Sequence, residues 1–112
     1  MMDNNTFENL KQEMRRGNVV LAVMSRLQAS QYGYAMLKNL NDLGFDIGQD
    51  TLYPLLRRLE EQGLLESEWR VDDPRPRRYY RLNQAGREVL EKLKAEWEEQ
   101  NEIIRRIVNE TE

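Results

Sequence analysis

One stretch limits the possible folds more than any other: Thr51-Leu52-Tyr53-Pro54-Leu55-Leu56-Arg57-Arg58-Leu59-Glu60-Glu61-Gln62-Gly63-Leu64, followed after a short interval by Arg75-Pro76-Arg77-Arg78-Tyr79-Tyr80-Arg81-Leu82. In the first part Leu52, Leu55, Leu56 and Leu59 fit the i, i+3, i+4, i+7 template of a half-buried helix, which leaves Asp50, Tyr53, Pro54 and Arg57 on the opposite face. Proline is tolerated in a first helical turn, where amides have no intrahelical partner, so a start close to Asp50 or Thr51 is expected. Such a start aims free N–H groups and a positive dipole end outward, which suits a phosphate or a base edge.

Next, Leu65, Trp69 and Val71 alternate with Glu66, Glu68 and Arg70, the period of a strand. Asp72-Asp73-Pro74-Arg75-Pro76 has turn chemistry, and alternation resumes with Tyr80 and Leu82 on one face and Tyr79 and Arg81 on the other. Trp69 is expected to face the core. A leucine-backed helix followed by an arginine-tipped hairpin is the layout of a winged helix-turn-helix, with Arg75, Arg77 and Arg78 placed to reach a duplex backbone or minor groove.

The rest of the chain reads as helix. Asn5-Thr6-Phe7-Glu8 resembles a capped start, and Phe7, Leu10 and Met14 then share a face. Gly17-Asn18 interrupts. The segment from Val19 to Met24, with Leu27, is apolar enough to be central in a core. Ser30 is placed to cap a third helix whose stripe is Met36, Leu37, Leu40 and Leu43, with Gly44 ending it. Asn83 suits the cap of a last helix, in which Leu90, Leu93, Trp97, Gln100, Ile104 and Ile107 follow a 3, 4, 3, 4 spacing, flanked by Val89, Ile103 and Val108. That stripe needs a partner. Helices over residues 5–16 and 84–110 are therefore expected to pack across a two-fold axis, through Phe7, Leu10, Met14, Leu90, Leu93, Trp97, Ile104 and Ile107. In the competing reading the last helix folds back on its own domain. The expected division is a DNA-binding unit over residues 1–83 and a dimerisation helix over residues 84–112.

Composition narrows the function. With 112 residues the chain has room for one domain plus a projecting element. The formal net charge of −3 looks wrong for a DNA binder until it is resolved: residues 1–83 hold 12 basic and 12 acidic side chains, and residues 84–112 hold 5 and 8. Between Pro74 and Leu82 stand four arginines and no acid, and a local patch rather than whole-chain charge governs phosphate binding. Histidine and cysteine are both absent, which removes the usual transition-metal ligands, any disulfide and the usual general base. Ser25, Ser30 and Ser67 lie in no nucleophile motif, so no enzyme, metal or cofactor is expected. Neither a secretory pattern nor a membrane-length apolar run is found, and a cytoplasmic location is expected.

The combination of Tyr32-Gly33-Tyr34, Thr51-Leu52-Tyr53-Pro54 with Leu56, Arg58-Leu59-Glu60, Gly63-Leu64, Trp69, Arg77-Arg78-Tyr79-Tyr80-Arg81-Leu82 and Ala85-Gly86 resembles the PadR-type transcriptional regulators over about residues 19 to 87. The resemblance implies a winged helix-turn-helix with a long C-terminal dimerisation helix, and a bacterial repressor. It also implies DNA contacts from Tyr34, Thr51, Tyr53, Pro54 and the Arg77-Arg78 part of the wing. Lys38, Gln49, Arg57, Arg58 and Arg75 complete the expected DNA-binding set, with Tyr34, Lys38, Arg57 and Arg58 positioning the protein on phosphates and Thr51 and Tyr53 approaching bases. Gly48 stands where serine is common in the family and Asp50 where glycine is frequent, which leaves operator preference open; Asn83 replaces a threonine cap of similar strength.

Two-fold symmetry predicts a palindromic operator with half-sites ~10 base pairs apart. Trp97 is first a large apolar knob in the seam. Because some family members hold planar compounds between such residues, it is also the expected contact for a planar aromatic or phenolic effector. The alternative function is a winged-helix protein-interaction adaptor, for which the acidic Glu96, Glu98, Glu99 and Glu102 would dock a basic partner.

Overall fold

The computed structural model describes residues 4–71 and 75–110. In chain order the elements are α1 (Asn4–Arg16), α2 (Val19–Arg26), β1 (Gln31–Tyr32), α3 (Gly33–Asp42), α4 (Gln49–Glu61), β2 (Leu65–Arg70), β3 (Arg77–Leu82) and α5 (Gln84–Asn109). This is the expected winged-helix class, mainly helical with a small hairpin. Its core is formed by Val23, Met24 and Leu27 next to α2's end, Met36 and Leu40 of α3, the four leucines of α4, and Leu65, Tyr80, Leu82 and Leu90.

Both helices of the helix-turn-helix end in the same way. Gly44 and Gly63 have φ of 95° and 80°, a left-handed conformation that glycine adopts without a Cβ penalty. After α3 the Phe45 amide donates to the Leu40 carbonyl and the Gly44 amide to that of Asn41; after α4 the Leu64 amide donates to Leu59 and the Gly63 amide to Glu60. These paired bonds satisfy carbonyls that a helix end leaves open. The second turn leads straight into β2, so the wing's root is set by the end of α4.

Three local expectations are corrected. Ser30 does not cap α3, because Gln31 and Tyr32 form a third strand first, pairing with Tyr80 and Tyr79 of β3; the Ser30 hydroxyl instead accepts a bond from Arg70 Nη2 at 3.2 Å. Leu43 is the residue that caps α3's C-terminus and is 65% exposed, since the helix has already turned away from the core there. Trp69 is also 65% exposed. Register explains this: Leu65, Ser67 and Trp69 face Leu82, Tyr80 and Arg78 in turn, so the inward row of the hairpin leaves the core at Leu65 and runs past its edge by Trp69. Of the turn, Asp72, Asp73 and Pro74 lie outside the described residues.

The last helix has two parts. Asn83 caps it, its Oδ1 accepting from the Gly86 amide at 2.8 Å. Leu90, expected in the dimer seam, is 1% exposed inside its own domain, and Leu93 packs partly against the same core. The stripe at α5's root is thus used internally, as the competing reading had it. Beyond the root, Trp97, Ile103, Ile104, Ile107 and Val108 are exposed, and so are Phe7, Leu10 and Met14 of α1, which buries no residue.

Candidate nucleic-acid interface

The start of α4 is displaced slightly from its expected place. Gly48 is the cap and Gln49 the first helical residue, so Pro54 falls in the second turn rather than the first. A proline there removes the bond that residue 54 would have given to the Asp50 carbonyl. Gln49, Asp50, Thr51, Pro54, Arg57 and Arg58 are all exposed, while Leu52, Leu55, Leu56 and Leu59 are buried beneath them. The amphipathic division read from spacing is therefore the one observed.

Tyr53 is the exception on the polar face, being half-buried. Its ring lies against the backbone of Gly33, where an added Cβ would stand 2.5 Å from Cε1. Glycine at α3's first position thus lets the tyrosine of one helix lie flat on the start of another. Tyr34, the next residue, is 57% exposed beside it.

These tyrosines and the wing line one open groove of about 560 Å³, formed by Tyr32, Gly33, Tyr34, Tyr53, Arg75, Pro76, Arg77, Arg78 and Tyr80. Among the described residues, three arginines and no carboxylate line it. Arg77 stacks its guanidinium over Tyr32 at 4.6 Å, and Tyr32 meets Tyr79 edge-on at 5.5 Å. On the same sheet face Arg70 covers Tyr79 at 4.2 Å, so the outer surface of the wing is a ladder of stacked cations and rings. Tyr80 faces inward, and burial pushes its phenol above the ordinary value, against the opposing pull of the Arg78 charge.

Arg78 has a different setting from Arg77. It points to the inner face, where Nη2 donates to both carboxylate oxygens of Glu60 at 3.0 and 3.3 Å and Nε donates to Ser67 Oγ at 3.0 Å. Ser67 in turn donates to Glu60 Oε2 at 2.7 Å. Lys38 is exposed and pairs with Asp42 at 3.5 Å, and it is not part of the groove's lining.

Of the expected DNA-binding residues, the groove gathers Tyr34, Tyr53, Arg75, Arg77 and Arg78. Thr51 lies instead in a separate cleft with Gln12, Arg15, Arg16, Val19, Phe45, Asp46, Ile47 and Gly48. Arg15 is fixed there by a 2.9 Å bond to the Gly44 carbonyl and by its place over the Phe45 ring. Gln49, Pro54, Arg57 and Arg58 stand exposed on α4 outside both linings. Sequence reasoning missed Tyr32 and Gly33 as groove residues, although both belong to the Tyr-Gly-Tyr run it singled out. It also missed α1's Arg15 and Arg16 beside Thr51, for which the sequence gives no signal because they are far from residue 51 in the chain.

Among the described residues no helix is long and apolar enough to cross a membrane. The sequence pattern of the Transcriptional regulator PadR-like family matches residues 20–92. A transcriptional regulator from Mycobacterium tuberculosis is 40% identical over 79 residues, covering 70% of this chain and 74% of that protein. Among solved structures, a PadR family transcriptional regulator from Eggerthella lenta superposes with a TM-score of 0.92 at 40% identity, covering 96% of each chain. A PadR-like transcription factor from Bacteroides fragilis gives a TM-score of 0.73 at 35% identity, over 88% of this chain and 98% of that one.

Proposed function

The chain belongs to the transcriptional regulator PadR-like family, and from that premise we propose that it is a repressor that binds a palindromic operator as a homodimer. The observation that carries this reading is the groove that brings Arg75, Arg77 and Arg78 together with Tyr34 and Tyr53, next to the exposed start of α4. In it, the first turns of α4 enter a major groove, with Thr51 and Tyr53 approaching base edges and Gln49, Pro54, Arg57 and Arg58 on the flanks. Tyr34 and Lys38 meet the neighbouring phosphates. The wing lies beside them, where the stacked Arg77 and the exposed Arg75 add charge. An adaptor docking a basic partner has no use for a cationic groove with aromatic walls, so the DNA reading is favoured.

Effector control is part of the same proposal. Trp97 is 44% exposed and lines a cleft of about 150 Å³ with Gly17, Asn18, Val20, Leu21, Leu93, Glu96 and Gln100. Ligand sites usually enclose ~300 to 1,000 Å³. One chain therefore supplies half a site for a planar aromatic or phenolic compound, and a symmetry-related Trp97 supplies the other wall. Binding there favours a dimer geometry in which the two α4 helices are wrongly spaced for successive half-sites.

The experiment is selection of bound fragments from random duplex DNA, followed by anisotropy titration of the recovered site at several salt concentrations. A palindrome is expected, and every phosphate that an Arg75→Ala/Arg77→Ala variant no longer neutralises lowers the salt slope by ~0.9. Repeating the titration with planar cationic and phenolic compounds, while Trp97 emission is followed, tests the effector. Recovery of no preferred sequence sinks the operator, and an emission indifferent to every compound sinks the sandwich.

A further inference from the structure

Arg78 is the arginine of the wing that does not face outward. It lies in the inward row of the hairpin with Tyr80 and Leu82, one step beyond the point where that row leaves the core. There it closes a three-residue ring with Glu60 of α4 and Ser67 of β2: Arg78 Nη2 on Glu60 at 3.0 and 3.3 Å, Arg78 Nε on Ser67 at 3.0 Å, and Ser67 on Glu60 at 2.7 Å. The three residues come from α4 and from both strands of the wing, the parts that the DNA reading sends into the duplex. Each side chain is only part-exposed, with Glu60 at 30% and Arg78 at 40%.

We propose that Glu60 is a positioning residue for DNA recognition, which through Arg78 and Ser67 fixes the angle between the reading helix α4 and the wing. The proposal rests on the DNA-binding reading and adds to it a device that neither spacing nor family likeness assigns. A guanidinium is a rigid planar fork, so a carboxylate and a hydroxyl held on its edges define an orientation as well as a distance. The covalent link between α4 and β2 is the short turn at Gln62, Gly63 and Leu64, which sets the root of the hairpin but not the direction of its far end. The ring acts farther along, beside Trp69 and Tyr80, whose rings lie 6.0 and 5.6 Å from the Arg78 guanidinium. The wing's outward cations are Arg77, which immediately precedes Arg78 on β3, and Arg75 just before the strand, so their reach toward a phosphate is set by this ring.

The sign of one substitution separates this from simple electrostatics. Glu60→Gln removes a negative charge close to the duplex, and a charge-only account expects tighter binding. A positioning role gives the opposite: operator affinity falls, by roughly two- to thirtyfold as for residues that couple two parts of a site, with the salt slope unchanged. Arg78→Gln behaves alike, and the Glu60→Gln/Arg78→Gln double variant is no weaker than the worse single one, because both substitutions open the same ring.

Operator titrations of the full-length wild type and these three variants, with hydrogen exchange of the β2 and β3 amides measured alongside, make the test. Faster exchange at the wing with intact exchange in α2 and α4, together with weaker binding at constant slope, is the expected result. If Arg78→Gln alone lowers the salt slope by ~0.9 and Glu60→Gln leaves affinity equal or higher, Arg78 binds a phosphate directly and the positioning role is wrong. A wild type that prefers no duplex overturns the DNA reading itself, an outcome distinct from a wild type that binds while its Glu60→Gln variant binds equally well. Exchange protection that disappears throughout the domain in both single variants also overturns the proposal, since Glu60 is then a general stabiliser.

Discussion

Gly86 shows how one missing side chain holds the domain together. Its amide is engaged by the Asn83 cap, and a Cβ at this position would run into the Leu64 carbonyl oxygen and come within 2.9 Å of Leu82 Cδ2. The Leu64 carbonyl is itself bound by the Asn83 amide at 3.1 Å, so the backbone there has no freedom to retreat. Two effects compete in Gly86→Ala. Alanine is the better helix former by ~1 kcal/mol, whereas forcing a methyl into a filled space usually costs ~1 to 3 kcal/mol. Contact with a fixed carbonyl rather than a flexible side chain decides the sign. Urea unfolding of Gly86→Ala is expected to show net destabilisation, and a variant as stable as wild type would mean that the root of α5 slides on β3. Gly33 is the contrasting case: its Cβ would meet the ring of Tyr53, the far end of a side chain rather than fixed backbone.

At the scale of elements, the sequence was most legible where periodicity and packing coincide. The leucines of α4 and the alternation of the hairpin were readable because each element is long enough to repeat its pattern against one core. β1 was not, for two residues make no period and only the partners Tyr79 and Tyr80 define it as a strand. Leu43 and Trp69 failed for a shared reason: a period tells which face a residue occupies but not how far the core extends beneath that face. Leu90 failed for a related one, since the same 3, 4 stripe runs along α5 from its own core outward without a break at the crossing. The groove was legible in its arginines and tyrosines, whereas the division of labour between an outward Arg77 and an inward Arg78 needed the register of β2 against β3. The position of Trp69 gives a prediction for the wing. Removing a core tryptophan costs ~3 to 5 kcal/mol, but an exposed strand residue is usually worth within ~0.5 kcal/mol. Trp69→Thr, which keeps a β-branched residue in the strand, is expected to leave the urea midpoint nearly unchanged; a drop of several kcal/mol would return Trp69 to the core.

For the whole molecule, shape and surface chemistry both support the proposed pairing with a second copy. A compact chain of this length has a radius of gyration of ~13 Å, whereas this one has 16.9 Å and extends 60 Å along its major axis. The excess comes from α5, 26 residues long, whose outer half carries the exposed Ile103, Ile104, Ile107 and Val108 and the partly covered Trp97. Phe7, Leu10 and Met14 on α1 are equally uncovered. An apolar stripe on a projecting helix and another on an amphipathic helix that buries nothing are surfaces that the proposed two-fold pairing would cover, each patch meeting its symmetry mate or the other's. In such a pair a single charge in the stripe acts twice, once on each side of the axis. Ile104→Asp lies far from the groove and from the buried Leu90, so the domain should keep its fold, as read by helical circular dichroism and an unchanged hairpin exchange pattern. Its mass by light scattering at micromolar concentration is expected to halve relative to wild type. Operator affinity should then fall toward that of a half-site, because the second α4 no longer binds at the high effective concentration that linkage provides. A wild type already monomeric at that concentration removes the dimer and the palindrome together, while a monomeric Ile104→Asp that still binds the full operator as tightly as wild type would detach recognition from pairing.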